Sequence, residues 1–111
     1  MESSIIGFSR GDASAKTFKA VNPANNVSID INYAMASAEE VDEACRMAGD
    51  AAIEMAQFSG CKKAEFLNAL ADGIDGIVEE LVSVMTAETG LPEPRVRAET
   101  GRTSGQLRMF A

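Results

Sequence analysis

Side chains able to carry covalent catalysis are few in this sequence of 111 residues. Cys45 and Cys61 are the only thiols, and no histidine is present to activate either of them as a nucleophile. A Ser-His-Asp arrangement is excluded for the same reason, and two thiols without CxxC spacing make a poor zinc site. The residue types therefore predict no catalytic residue within this chain.

Cofactor-binding patterns are absent as well. The sequence contains neither GxGxxG after a strand nor GxxxxGK[ST], the two common glycine-rich cradles for phosphate groups. The acidic pairs Glu39-Glu40 and Glu79-Glu80 lie on predicted helix exteriors, where a solvated face is the simplest interpretation. On chemistry alone, the sequence indicates an inert, mainly helical domain.

Charge and hydropathy narrow the possible partners. The formal net charge of -7 argues against a nucleic-acid partner, which would require a concentrated basic face. No apolar stretch approaches the roughly 20 residues that span a bilayer, and the start lacks a secretory signal, so we predict a cytoplasmic protein with reduced thiols. Four arginines cluster near the end and could receive a small anion, or could simply form a solvated helix face.

The elements that would position these groups begin with short strands. Residues 1–15 lack periodicity and predict a flexible N-terminal arm. Residues 17–21 form a strand candidate, 22–26 supply turn residues, and 27–35 alternate apolar with polar side chains. We therefore expect a hairpin, or two neighbouring strands, with residues 27–35 as one half-buried strand.

Three helical segments are predicted after the strands. Ser37 and Glu40 form a capping-box pattern before an apolar stripe that includes Cys45, which favours a core position for this thiol. A second segment runs over 62–88, where Gly73 and Gly76 predict a bend or close packing. Gly90 and Pro92 end it.

The third helical segment begins at Glu93-Pro94 and contains weak helix formers, so its helicity should depend on tertiary packing. The chain stops within the apolar run 107–111, which is typical of a cut in a longer polypeptide.

Several strings in the right order resemble the amino-terminal segment of the aldehyde dehydrogenase superfamily. They are 18–23 with its Asn-Pro turn, 36–44 at a helix start, 63–72, the Thr-Gly-x-Pro corner at 88–92, and the tail 99–111. The tail is most similar to the branch that oxidises 2,5-dioxopentanoate (2-oxoglutarate semialdehyde) and to its fatty-aldehyde-oxidising relatives.

The resemblance implies an α/β fold in which residues 16–111 form the first part of a Rossmann-like NAD(P)-binding domain, with short strands followed by three helical segments. It implies a longer parent enzyme, dependent on NAD or NADP, that oxidises an aldehyde and forms a homo-oligomer. Its catalytic domain would lie outside this chain, so the chain alone is expected to be inactive and to have the remainder of the parent protein as its partner.

Two site residues follow from the resemblance. Arg102 falls where the third helix of the family lines the substrate tunnel, so its guanidinium could bind the far carboxylate of an acidic semialdehyde. The alternative is a surface arginine that balances Glu99. Glu88 matches an acidic position near the monovalent-cation site of some relatives, although a role at the end of a helix is the simpler explanation.

Two other functions stay open at this point. The chain could belong to a long-chain fatty aldehyde dehydrogenase, or it could be a non-catalytic helical binding module that offers an apolar groove to a partner helix. A third possibility is a structural fragment that is stable only when bound to another protein. Such a fragment would expose apolar side chains when it is alone.

Overall fold

The computed structural model describes residues 2–12 and 16–111, and the chain divides into two compact units. The first unit contains Met1–Val21 and Ser28–Gln57, and the second contains Asn22–Val27 and Phe58–Ala111. Within the described residues, no helix combines the length and the apolar character required to span a membrane.

The first unit begins with a small hairpin. Strand β1 (Ile5–Ile6) pairs antiparallel with β2 (Ser9–Arg10), and Gly7 in the turn has a positive φ of 58°. Positive φ costs glycine little because it has no Cβ. The flexibility predicted for residues 1–15 stays a prediction, and Met1 and residues 13–15 lie outside the described part of the chain.

A second set of short strands confirms the predicted hairpin. Strand β3 (Thr17–Phe18) pairs antiparallel with β6 (Tyr33–Ala34), and β4 (Val21–Asn22) pairs with β5 (Val27–Ser28). The amide of Ile29 donates to the carbonyl of Ala20 over 2.8 Å between these two pairs.

The prediction of one continuous strand over residues 27–35 is wrong, because the returning strand bends at Asp30. From the Phe18–Tyr33 pair to the Ala20–Ile29 hydrogen bond, the outgoing strand advances two residues and the returning strand four. The extra residues form a bulge in which the Ile31 amide donates to the Ile29 carbonyl over 2.8 Å. The returning strand has two extra residues, and because this number is even, side chains two apart still point to the same face. Ile29, Ile31 and Tyr33 are therefore half-buried, as the pattern indicated.

Helix α1 (Ala38–Ala56) starts with the predicted capping box. The Glu40 amide donates to the Ser37 hydroxyl over 3.1 Å, and the Ser37 amide donates to the Glu40 carboxylate over 2.8 Å. A cap of this kind typically contributes about 1 kcal/mol to helix stability. The same carboxylate accepts a hydrogen bond from the Asp12 amide over 2.6 Å, which ties the chain after β2 to the helix start.

The predicted second helix is two helices, so the chain has four helical segments between residues 38 and 110 instead of three. Helix α2 (Gly60–Gly76) ends at Ile77, whose φ of -117° departs from helical values, and α3 (Val78–Thr89) follows directly. A Cβ at Gly73 or Gly76 would meet nothing within 4 Å. The predicted bend is therefore confirmed, and close packing at these two glycines is not the reason for them.

Helix α4 (Glu93–Phe110) follows a left-handed Gly90 with a φ of 70°, and Pro94 lies in its first turn as predicted. It packs against both α2 and α3. Its buried side chains are spaced by four residues: Val96, Thr100 and Ser104. Thr100 donates its hydroxyl hydrogen to the Val96 carbonyl over 3.0 Å, so the buried oxygen is satisfied within the helix. Packing of this stripe explains why a glycine-rich and threonine-rich segment is helical.

Candidate functional site

Helix α4 is attached to α3 by an arginine. The Arg97 guanidinium contacts both Glu79 oxygens over 2.7 Å and also reaches Glu93 over 2.7 Å. The hydrogen bond from Arg97 lowers the pKa of the Glu79 carboxyl below its usual value. Bidentate arginine–carboxylate pairs fix geometry as well as charge, so Arg97 is committed to the α3–α4 contact.

A second arginine attaches α4 to α2. Arg108 contacts Asp72 over 2.7 Å and Asp75 over 2.8 Å. The Ser104 hydroxyl and then Arg108 lower the pKa of the Asp75 carboxyl. This guanidinium is therefore also engaged in holding helices together.

Arg102 differs from the other arginines of the chain. Within residues 2–12 and 16–111, every other arginine has a carboxylate partner: Arg10, Arg46, Arg95, Arg97 and Arg108. The side chain of Arg102 is exposed, and no carboxylate in the described ranges forms an ion pair with it. Its guanidinium therefore has no anionic partner within the described part of the chain.

The position of Arg102 on the helix follows from the geometry of the α-helix. Successive residues are about 100° apart, so Arg102 lies roughly 160° from the centre of the buried stripe. It belongs to an exposed surface, here called the outer face of α4, that also contains Arg95, Ala98, Gly105 and Met109. A Cβ at Gly105 would meet nothing within 4 Å, so the helix surface beside Arg102 is open.

Two shallow apolar cavities adjoin the edge of this face. One, of about 280 Å³, is lined by Ile74, Leu81, Met85, Glu99, Thr100 and Thr103. The other, of about 230 Å³, is lined by Leu67, Thr103, Gln106, Leu107 and Phe110. Thr103 borders both cavities, and Arg102 lines neither of them. Neither cavity is lined by a cysteine.

Glu99, which the sequence suggests as an alternative partner of Arg102, has a different partner in the structure. Its carboxylate lies 2.8 Å from the Arg95 guanidinium, four residues earlier on the same helix. The spacing of four between Arg95 and Glu99 was the signal that could have revealed this pair, because such residues are neighbours on a helix surface.

Glu88, the predicted cation ligand, is half-buried in the last turn of α3. The neighbouring Thr89 hydroxyl donates to the Met85 carbonyl over 2.6 Å and accepts from the Leu91 amide over 3.2 Å, which closes the helix end. Among the described residues, no group of three histidine, cysteine or acidic side chains could hold a metal ion. The role of Glu88 near a monovalent cation stays a prediction.

The cysteines are free thiols, as predicted, and both are exposed. Cys45 is exposed in this chain instead of lying in a core as predicted, since no residue of α1 is buried here and Val41, four residues earlier, is 52% exposed. The amphipathic pattern located the apolar stripe of α1 but could not show whether anything covers it.

The described residues also fail to fit a dinucleotide. Pyrophosphate is usually held at a helix N-terminus that follows a glycine-rich turn. Here the starts of α1 and α2 are occupied by the Ser37 and Ser59 hydroxyls, while α4 begins after Pro92. In the described part of the chain, no residue is assigned to NAD(P) binding.

The described residues form short strands followed by four helices. Residues 10–111 match the aldehyde dehydrogenase family, and the chain belongs to this family. It is 38% identical over 108 residues to alpha-ketoglutaric semialdehyde dehydrogenase 2 of Azospirillum brasilense, and 34% identical over 107 residues to the alpha-ketoglutaric semialdehyde dehydrogenase of Acinetobacter baylyi.

Both alignments cover 96% of this chain but only 21% and 20% of the relatives, so the chain spans about a fifth of their length. A solved structure has the same fold over this segment: aldehyde dehydrogenase 21 from Physcomitrella patens, in complex with the reaction product succinate. The TM-score is 0.85 at 21% sequence identity, and the match covers 97% of this chain and 22% of that one. The predicted family resemblance is therefore confirmed.

Proposed function

We propose that this chain is the amino-terminal part of a longer NAD(P)-dependent aldehyde dehydrogenase that oxidises 2-oxoglutarate semialdehyde to 2-oxoglutarate. The names of the relatives at 38% and 34% identity support this substrate. The observation that carries the proposal is the exposed Arg102, whose guanidinium has no carboxylate partner among the described residues. An acidic semialdehyde has a carboxylate that such a guanidinium would bind.

In this proposal the chain contributes binding surface and scaffold, and the reacting groups come from other parts of the protein. The family uses a cysteine thiolate to attack the aldehyde, donors that hold the oxyanion, and a nicotinamide that accepts the hydride. Residues 16–111 would form the first portion of the NAD(P)-binding domain, and the chain alone would be inactive. We also propose that the full-length protein is cytoplasmic and forms a homo-oligomer.

Arg102 would bind the carboxylate at the far end of the substrate. A guanidinium presents two parallel N–H donors that match the two oxygens of a carboxylate, so the contact is charge-assisted and directional. The apolar side chains that line the two cavities beside Thr103 would suit the methylene groups of such a substrate.

The full-length protein tests this function directly when it is assayed with 2-oxoglutarate semialdehyde and with a long-chain aldehyde, using NAD and NADP in turn. We expect kcat/KM to be at least about ten-fold higher for the acidic aldehyde, because a charge-assisted contact contributes on the order of 1.5–3 kcal/mol. A preference for the long-chain aldehyde would assign the protein to the fatty-aldehyde-oxidising branch. Absence of dehydrogenase activity with any aldehyde would favour a non-catalytic binding module.

We propose that the Glu88 carboxylate is part of a monovalent-cation site in the full-length protein. Replacing it with glutamine keeps the size of the side chain and removes its charge, so the increase in thermal stability on exchanging choline chloride for potassium or sodium chloride should become smaller. The measurement is the melting temperature at constant ionic strength, with Glu80→Gln on the same helix as the matched control. Equal salt responses of the wild type and both variants would leave Glu88 with a role only at the helix end.

A further inference from the structure

We infer that Arg95 is a positioning residue for substrate specificity, because it holds Glu99 in an ion pair and so keeps Arg102 available for the substrate carboxylate. This inference rests on the proposed function of Arg102. Its basis is the arrangement of three charged side chains along α4, at positions 95, 99 and 102.

Glu99 has two possible cationic partners on its own helix. Arg95 lies four residues before it and Arg102 three residues after it, and both spacings bring side chains together on a helix surface. In the structure the Glu99 carboxylate is 2.8 Å from the Arg95 guanidinium, and Arg102 has no ion pair with any described carboxylate. Of the two arginines, Arg95 is therefore the one that pairs with Glu99.

The surroundings of Glu99 favour a cationic partner. Its side chain is half-buried and borders the apolar cavity formed by Ile74, Leu81 and Met85. A carboxylate beside apolar groups loses part of its hydration, so a nearby guanidinium is favoured over no partner. If Arg95 were missing, Arg102 would be the remaining arginine on the same side of α4 as Glu99, and an intramolecular pair would compete with the substrate.

The other two paired arginines of α4 already have partners of their own. Arg97 is held by Glu79 and Glu93, and Arg108 by Asp72 and Asp75. The arginines of α4 therefore have different roles. Arg97 and Arg108 form ion pairs with α3 and α2, while Arg95 pairs with the Glu99 carboxylate, which would otherwise pair with Arg102.

The test uses Arg95→Gln in the full-length protein. We expect KM for the acidic semialdehyde to rise about two- to five-fold, the range expected for competition by one exposed ion pair, with kcat and the kinetics of a neutral aldehyde unchanged. Adding Glu99→Gln should restore the wild-type KM, and Arg95→Lys should retain most of it. A crystal structure of the Arg95→Gln variant should place a Glu99 oxygen within 4 Å of the Arg102 guanidinium.

Two further variants separate this mechanism from a general loss of positive charge. Arg46→Gln removes an exposed arginine in α1 and should leave KM for the acidic semialdehyde unchanged. In an Arg102→Leu background, Arg95→Gln should have no further effect, because its influence acts through Arg102.

The outcomes also distinguish this inference from the proposed function. If Arg102→Leu raises KM for the acidic semialdehyde but Arg95→Gln does not, or if the effect of Arg95→Gln persists without Arg102, the positioning role is wrong and the substrate contact stands. If Arg102→Leu itself leaves that KM unchanged, the proposed function of Arg102 is wrong, and the positioning role is wrong with it.

Discussion

Replacing Arg102 with leucine in the full-length protein should raise KM for 2-oxoglutarate semialdehyde by roughly 10- to 100-fold while sparing a neutral aldehyde of similar length. The reason is that the substrate carboxylate would lose a charge-assisted, bidentate partner and face an apolar side chain instead. Fold stability should change little, because the Arg102 side chain is exposed and holds no described carboxylate. Steady-state kinetics with the two aldehydes measures this difference.

Two variants serve as controls for the Arg102 experiment. Arg102→Lys keeps the charge but loses the planar pair of donors, so its KM for the acidic aldehyde should lie between those of the wild type and Arg102→Leu. Arg46→Leu removes a similarly exposed arginine that is already paired with Glu43 and Asp50, and should leave both aldehydes unaffected. Equal increases in KM for the acidic and neutral aldehydes would contradict a carboxylate contact at Arg102.

The features that sequence predicted correctly are those decided by nearby residues. The capping box at Ser37 and Glu40 needs only a spacing of three, and the end of α3 needs only a glycine that tolerates positive φ. The break at Gly76 was also indicated by local composition, although the sequence did not show that it would divide one predicted helix into two. Local chemistry was sufficient in each of these cases.

The features that sequence missed depend on pairing between distant segments or on burial. The bulge near Asp30 arises from the register between residues 18–20 and 29–33, which no alternation within 27–35 encodes. The exposure of Cys45 depends on whether another segment covers α1. An apolar stripe predicts only that such a covering segment would be favourable. At the candidate site, the resemblance located Arg102, whereas the pairing of Glu99 with Arg95 became apparent only in the structure.

Expressed without further residues, the 111-residue chain should bind a hydrophobic dye such as ANS strongly and unfold without a sharp cooperative transition. In the first unit, none of the described residues is buried, and in the second the buried residues are only Ala71, Val82, Val96, Thr100 and Ser104. Large apolar side chains are exposed in both units, among them Ile53 at 71% and Met109 at 71%. So small a buried set cannot offset a backbone ordering cost of about 1–2 kcal/mol per residue.

The full-length protein should instead bind the dye weakly and unfold cooperatively. The reason is that the proposed remainder of the enzyme would cover these apolar faces. Thermal unfolding followed by circular dichroism, together with dye fluorescence at equal molar concentration, measures both properties. The substitution Val41→Asn on the exposed stripe of α1 should destabilise the full-length protein yet leave the short chain almost unchanged, since only the former would bury that side chain. A short chain that is monomeric, melts sharply and ignores the dye would contradict the view that its apolar faces belong to a larger protein.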